Sequence, residues 1–120
     1  MLREMLKSKI HRATATGSQV DYIGSIEIDE DLMDKADILH GEKVLLVNLK
    51  NGKRMETYAI RGERGSGAMC VKGGTAIFVD KGDILLVLTF HFVNEEEARN
   101  WKTTTLLVDE NNKITKIIRK

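Results

Sequence analysis

The sequence has no proline, one cysteine and few aromatic residues, which make up 5% of its 120 positions. Without proline, turns must be formed by glycine, asparagine and aspartate, and ten glycines are present for this. The single cysteine, Cys70, excludes an internal disulfide and a cysteine-rich zinc site, and we interpret it as a small buried hydrophobic residue. The three histidines have no ligand spacing, so the sequence predicts no metal site.

The chain also lacks an excess of either charge and any long apolar run. Its 19 Lys and Arg residues nearly balance its 18 Asp and Glu residues, for a net charge of +1. This balance argues against a nucleic-acid partner or an anionic membrane surface. No segment is long and apolar enough to span a membrane, and the mixed residues 1–12 do not resemble a signal peptide. We therefore expect a cytoplasmic protein with a single domain over residues 1–120.

Apolar and polar residues alternate with a period of two along most of the chain, which predicts strands. An Asn51-Gly52 pair predicts a two-residue type I′ hairpin turn between two of them. The run 84–92 is nearly all apolar and is expected to be buried on both faces. The predicted strands cover residues 5–14, 20–28, 43–49, 53–60, 68–71, 75–79, 84–92, 104–109 and 114–118.

Two short helices are predicted between these strands. Asp29 is a plausible N-cap of the first, which should end at His40-Gly41. Asn94 and Glu97 form the two halves of a capping box at the start of the second. So many short strands with so few helices favour a mainly β fold of the closed-barrel kind over a layered α/β sheet.

The Gly24-Ser25 pair is the first candidate for chemistry. The commoner explanation of a glycine inside a strand is a bulge or twist. The functional interpretation is more specific: the Ser25 hydroxyl follows a carbonyl whose own residue has no Cβ, an arrangement that lets a hydroxyl attack the preceding peptide carbonyl.

Two charged strand faces are the other candidates. Arg54 and Tyr58 share one face of a strand, where an arginine can bind a carboxylate and a tyrosine can transfer a proton. Lys9 and His11 share a face of the first strand. The alternative is that both are solvated faces, the second guarding a sheet edge. The glycine-rich residues 62–67 do not join a strand to a helix, so they do not form a phosphate-binding loop of the usual kind.

Several short motifs occur in an order and spacing that together resemble one known family. They are MLKSKIHR at 5–12, YIGSI at 22–26, NGKR at 51–54, TY at 57–58, ERGS at 63–66 and EEAR at 96–99. With these motifs, the chain is similar from about Met1 to about Asp109 to the pyruvoyl-dependent L-aspartate 1-decarboxylases.

The resemblance implies a double-psi β-barrel and a homotetramer whose active sites lie between neighbouring subunits. It also implies a proenzyme that cleaves itself between Gly24 and Ser25 and converts Ser25 into a covalent pyruvoyl group. The substrate would be L-aspartate, and the product β-alanine would serve pantothenate biosynthesis. No metal ion is implied.

The resemblance further implies roles for individual residues. Tyr58 matches the proton donor, and Lys9 and Arg54 match cations that bind the two substrate carboxylates. The other matched positions around the substrate are His11, Tyr22, Thr57, Lys72, Gly73, Gly74 and Thr75. Thr57 alternates to the opposite strand face from Tyr58, so either the strand bulges or Thr57 acts across a subunit boundary.

Lys72 departs from the pattern, because the family has an asparagine there. An ammonium group only donates hydrogen bonds and has no acceptor function, so the sequence predicts slower maturation than with asparagine. Two alternatives stay open: a slowly maturing or non-maturing relative, and a small β-barrel that binds a partner without catalysis. Denaturing electrophoresis separates them, because an active member runs as two fragments.

Overall fold

A computed structural model describes residues 1–120 as nine strands and three short helices. The strands are β1 Leu2–Thr14, β2 Gly17–Gln19, β3 Ser25–Asp29, β4 Lys43–Asn48, β5 Arg54–Gly62, β6 Met69–Lys72, β7 Ile84–Asn94, β8 Thr104–Val108 and β9 Ile114–Arg119. The helices are α1 Glu30–Ala36, a 3₁₀ helix Gly73–Phe78 and α2 Glu95–Arg99. No helix has the length and apolar character that a membrane crossing requires.

The strands form one mixed sheet in the order β2-β6-β3-β5-β4-β7-β1-β8-β9. Three pairs are parallel, namely β1 with β8, β2 with β6 and β3 with β5, and the others are antiparallel. The sheet is not closed by hydrogen bonds between β2 and β9. The predicted mainly β, barrel-like fold with short helices is confirmed, and the mixed order is consistent with a double-psi β-barrel.

One apolar cluster of 19 buried residues fills the space enclosed by the curved sheet. Alternate residues of the strands point into it, such as Ile10 of β1, Ile26 of β3 and Val87 of β7, each with no exposed surface. Helix α1 adds Leu32 and Met33 to the same cluster. The N-cap Asp29 and the capping box of Asn94 and Glu97 are present as predicted.

The predicted strand over residues 20–28 is wrong in its first half. Strand β2 ends at Gln19, and residues 20–24 are irregular before β3 begins at Ser25. The reason lies in the partner strand. Gln19 pairs with Lys72, the last residue of β6, so a longer β2 would have no strand beside it.

The predicted strand over residues 75–79 is also wrong, because this segment lies in and just after the 3₁₀ helix. Gly73 takes a positive φ of 79° that ends β6. The buried residues Ala76 and Val79 are three apart, as a 3₁₀ helix requires, and the Val79 N–H donates to the Ala76 carbonyl.

Three smaller expectations also fail. The β4–β5 loop is longer than the two-residue loop of a type I′ turn, because the hydrogen bond from the Asn48 N–H to the Lys53 carbonyl encloses residues 49–52. A type I′ turn also requires a positive φ at both central residues, and Gly52 has one but Asn51 does not. Ala36 is the last residue of helix α1. Its C-cap Asp37 has a left-handed φ of 56°, which stops the helix before the predicted end at His40. Strand β7 is buried on one face only, since Phe92 is 64% exposed in the single chain.

The buried carboxylate of Asp29 joins α1 to the loop between β5 and β6. Its Oδ1 accepts hydrogen bonds from the N–H groups of Asp31 and Gly65, and its Oδ2 accepts one from Gly67. Burial alone would raise the pKa of Asp29, but the hydrogen bonds from Gly67, Gly65 and Asp31 lower it below its ordinary value. The ionised form is therefore the one that stabilises the fold.

We expect Asp29→Ala to lower the free energy of unfolding by about 2–4 kcal/mol, because it leaves three backbone donors without their acceptor. Asp29→Asn should fall between this variant and the parent, since one acceptor oxygen remains for Asp31 and Gly65. Because folding lowers this pKa, the parent should lose the contribution of Asp29 as the pH falls below about 4. Urea unfolding at neutral pH and at low pH measures both effects, and equal midpoints for all three proteins would contradict this role.

Candidate active site

The Gly24–Ser25 peptide lies where an irregular segment enters the sheet. Ser25 is the first residue of β3, is only 2% exposed, and pairs with Lys72 of β6. Gly24 is the last residue of the irregular segment. The Ser25 hydroxyl is thus held at the start of a strand and away from bulk solvent.

Gly73 contacts the backbone of Gly24 so closely that position 73 has no room for a side chain. A Cβ on Gly73 would lie 2.4 Å from the Cα of Gly24 and 2.9 Å from its nitrogen. Gly73 also has a φ of 79°, which a residue with a Cβ adopts only with strain. This cradle requires glycine at position 73 and presses the end of β6 against the peptide that precedes Ser25.

Tyr58 is the neighbour of Ser25 on the adjacent strand β5. Ile26 pairs with Ala59 in the parallel β3–β5 ladder, so Ser25 and Tyr58 occupy equivalent positions one residue earlier. Ile26 and Ala59 face the core with no exposed surface, and alternation places Ser25 and Tyr58 on the other face. Two of the residues singled out from the sequence are therefore brought together.

Lys72 lies on the same outer face and has two partners. Its Nζ is 3.1 Å from Oε1 of Glu27 and 4.4 Å from the ring centroid of Tyr22. The hydrogen bond to Glu27 raises the pKa of Lys72 above its ordinary value, so the ammonium form is favoured. We call these three residues the Tyr22–Lys72–Glu27 cluster.

Glu27 is the site residue that the sequence reasoning missed. It lies two residues after Ser25 on β3, so both side chains share a face. Its opposite charge to Lys72 was visible in the sequence. Only the β3–β6 register, which pairs Ser25 with Lys72 and Glu27 with Cys70, shows that the two side chains can meet.

Three of the predicted substrate-binding residues lie away from Ser25 in the sheet of one chain. Lys9 and His11 are on β1, which is four strands from β3 in the sheet. Arg54 shares a face with Tyr58 but lies four residues away, which is about 13 Å of strand length. Within one chain, these three residues are therefore not neighbours of Ser25 in the strand register.

The environment of His11 is distinct from that of the other candidates. Its Nδ1 is buried without a hydrogen-bond partner. Burial, Lys9 and Arg12 lower the pKa of His11 below its ordinary value, so the neutral ring is favoured. It lines a cavity of about 400 Å³ with Arg12, Asp109 and Glu110, among others, and this cavity does not include Ser25.

Thr57, Gly74 and Thr75 occupy the margins of the site. The β4–β5 register runs without a shift from Lys43–Tyr58 to Val47–Arg54, so no bulge turns Thr57 to the face of Tyr58. Gly74 and Thr75 are in the first turn of the 3₁₀ helix, and the Thr75 hydroxyl donates to the Lys72 carbonyl at 3.5 Å. No group of three or more His, Cys, Asp or Glu side chains is arranged to hold a metal ion.

Comparison with known proteins gives one consistent result. The family model for aspartate decarboxylase matches residues 1–115. A protein named aspartate 1-decarboxylase from Syntrophomonas wolfei is 50% identical, with 98% of this chain and 99% of that protein covered. Proteins of the same name from Thermoanaerobacter pseudethanolicus and Bacillus cereus are 50% and 45% identical, over 94% and 98% of this chain and 97% and 93% of their own.

These matches span almost the whole chain at high identity, and they include the residues that form the Gly24–Ser25 site. The chain therefore belongs to the aspartate decarboxylase family.

Proposed function

We propose that this protein is an aspartate 1-decarboxylase that first cleaves its own chain between Gly24 and Ser25 and then converts L-aspartate into β-alanine and CO₂. The observation that carries the proposal is the buried Ser25 hydroxyl, which directly follows a glycine held against Gly73. The family membership supports the same activity. The product would serve pantothenate biosynthesis in the cytoplasm.

The self-cleavage needs only the atoms of the chain and one water molecule. The Ser25 hydroxyl oxygen attacks the Gly24 carbonyl carbon, the peptide C–N bond breaks, and the nitrogen takes the hydroxyl proton, leaving an ester. Loss of the Ser25 α-proton then expels the Gly24 carboxylate and leaves a dehydroalanine. Tautomerisation to an imine and addition of water release ammonia and leave a pyruvoyl group, with no oxidant or reductant required.

The surroundings of Ser25 fit such a group. The position is at a strand end and is enclosed, and the peptide before it is in close contact with Gly73. Such a group at position 25 would supply a ketone carbonyl for the substrate amine and an electron sink for the loss of the α-carboxylate. It is the only cofactor that we propose, and no metal ion is involved.

The remaining residues bind the substrate and hold the proton. Tyr58 lies beside Ser25 in the β3–β5 register, and we assign to its hydroxyl the proton that Cα takes up after decarboxylation. Arg54 and Lys9 bind the two carboxylates of aspartate, for which a guanidinium offers a paired set of donors. We propose that Tyr22, Gly74 and Thr75 line the pocket from the same chain and that a neighbouring subunit supplies His11 and Thr57.

We propose that a second copy of the chain completes the site. Lys9 and Arg54 are not neighbours of Ser25 in the sheet of their own chain, and we propose that a neighbouring subunit supplies them. The outer surface of β4 and β7 supports this, because Leu45, Phe90 and Phe92 line an open groove there. A homotetramer with its sites between neighbouring subunits satisfies both observations.

We expect Ser25→Ala to abolish both self-cleavage and β-alanine formation, because no hydroxyl remains to attack Gly24. Ser25→Cys is the matched control, since a thiol can make the same acyl shift. Denaturing electrophoresis and intact mass follow the reaction: the parent should give residues 1–24 and residues 25–120, the latter with a blocked amino end. CO₂ release by Ser25→Ala at the parental rate would contradict the mechanism, and a parent that stays uncut would favour the non-maturing or the non-catalytic alternative.

Tyr58→Phe should leave self-cleavage intact and lower the turnover of aspartate by about 10²- to 10⁴-fold, the usual contribution of a positioned proton donor. The measurement is steady-state β-alanine formation by fully cleaved protein. Unchanged turnover would remove Tyr58 from this role.

Co-expression of Ser25→Ala with Arg54→Ala tests the shared site. If Ser25 and Arg54 come from different subunits, roughly a quarter of the sites in a random equal mixture contain both native residues and recover activity. Co-expression of Ser25→Ala with Tyr58→Phe is the control. If Ser25 and Tyr58 of one site come from the same chain, as their register in β3 and β5 favours, no mixed site contains both native residues. The activity of this mixture should then not exceed that of Tyr58→Phe alone. No recovery in the first mixture would place Arg54 and Ser25 of one site on the same chain.

A further inference from the structure

We propose that Lys72 bridges the two sides of the scissile peptide, binding Tyr22 before it and Glu27 after it, and so positions Gly24 and Ser25 for self-cleavage. The proposal rests on the proposed function and concerns residues that are not themselves the reacting groups. Lys72 is therefore a positioning residue.

The contacts of Lys72 point in both directions along the chain. Its ammonium is 3.1 Å from the Glu27 carboxylate, two residues after Ser25, and 4.4 Å from the Tyr22 ring centroid, two residues before Gly24. The Lys72 side chain is only 12% exposed, and that of Glu27 is 30% exposed. Partial burial of Lys72 and Glu27 weakens the competition from water for their ion pair. Tyr22 is 56% exposed, so its ring contact with Lys72 is the weaker of the two.

The segment that Lys72 holds has little else to fix it. Residues 20–24 belong to no strand, and their one hydrogen bond joins the Tyr22 N–H to the Val20 carbonyl within the segment itself. Apart from the cluster, the segment is held by the close contact of Gly24 with Gly73. The ring of Tyr22 against Lys72 is therefore the side-chain contact that ties this segment to the sheet.

The position of Lys72 makes it a suitable anchor. It pairs with Ser25 across the β3–β6 ladder, and the next residue along the chain is Gly73, which contacts Gly24. The Gly24–Ser25 peptide is thus held by two backbone contacts, the pairing of Ser25 with Lys72 and the contact of Gly24 with Gly73. A fixed Lys72 side chain adds a third constraint. Fewer accessible conformations before Gly24 raise the fraction of time in which the Ser25 hydroxyl faces the carbonyl.

Glu27 is required for this arrangement because it holds the ammonium. With the carboxylate present, the charge of Lys72 is compensated and its stem lies along the sheet between its two partners. This reverses the expectation drawn from the sequence, where the lysine was expected to slow maturation. Lys72→Asn should now slow it, because the shorter amide reaches neither partner and leaves the Glu27 carboxylate unpaired.

The first test is the time course of self-cleavage. We expect Lys72→Met and Glu27→Gln to cleave roughly threefold to thirtyfold more slowly than the parent, in line with the loss of one partly desolvated cation–π or charge contact. Lys72→Arg should restore most of the rate, because it keeps the charge and stacks on an aromatic ring. Tyr22→Leu should cleave more slowly than Tyr22→Phe, which retains the ring.

A matched control uses the exposed pair of Lys50 and Asp80. Their charged atoms are 3.2 Å apart, and their side chains are 60% and 80% exposed. Asp80→Asn also removes one carboxylate from a lysine, but it should leave the cleavage rate unchanged. Parental rates in Lys72→Met, or faster cleavage in Lys72→Asn, would overturn the proposal.

The second test does not depend on cleavage. In a Ser25→Ala background, Lys72→Met should increase hydrogen exchange of the amides of residues 21–24 and leave those of β7 unchanged. Unaltered exchange at residues 21–24 would overturn the bridge, whatever the cleavage rates. If exchange changes as expected while the parent never cleaves, the bridge stands and the proposed self-processing fails.

Discussion

The contact between Gly73 and Gly24 is the constraint on which the surroundings of the site depend. A Cβ at position 73 would lie 2.4 Å from the Cα of Gly24, so the two backbones meet directly. The positive φ of Gly73 ends β6 at Lys72 and starts the 3₁₀ helix. Because β6 ends there, β2 loses its partner after Gln19, and residues 20–24 leave the sheet. One glycine thus terminates two strands and places an irregular peptide directly before Ser25.

The two cations on this face of the sheet differ in how their charge is compensated. Lys72 is compensated by Glu27, whereas Arg54 on the same outer face of the sheet is exposed and has no carboxylate partner in its own chain. An uncompensated cation beside a reacting carbonyl would carry a desolvation cost that a partly buried pair reduces. The compensated lysine therefore suits a positioning role, and the free guanidinium suits a dianionic substrate.

Features set by local sequence were predictable, and those set by distant partners were not. The long strand β1, the terminal hairpin, the Asp29 cap and the capping box of Asn94 all follow from patterns within a few residues. The ends of β2 and the helix at Gly73 depend on where β6 stops, which no local pattern records. The pairing of Glu27 with Lys72 likewise needs the β3–β6 register. The shared face of Arg54 and Tyr58 was predictable from alternation, but the separation of Lys9 and Ser25 by four strands depends on the sheet order.

The same topology explains why a cut after Gly24 would leave the fold intact. Strand β1 lies inside the sheet, paired along its length with β7 and over four residues with β8. Strand β2 pairs with β6, and Asn112 binds both backbone groups of Thr14, so residues 1–24 are held by contacts that do not run through the chain at Gly24. The peptide bond that would be lost follows residues 20–24, which contribute no ladder hydrogen bonds. A cut there would therefore break no ladder hydrogen bond, and the contacts of β1, β2 and Asn112 would keep residues 1–24 in the fold.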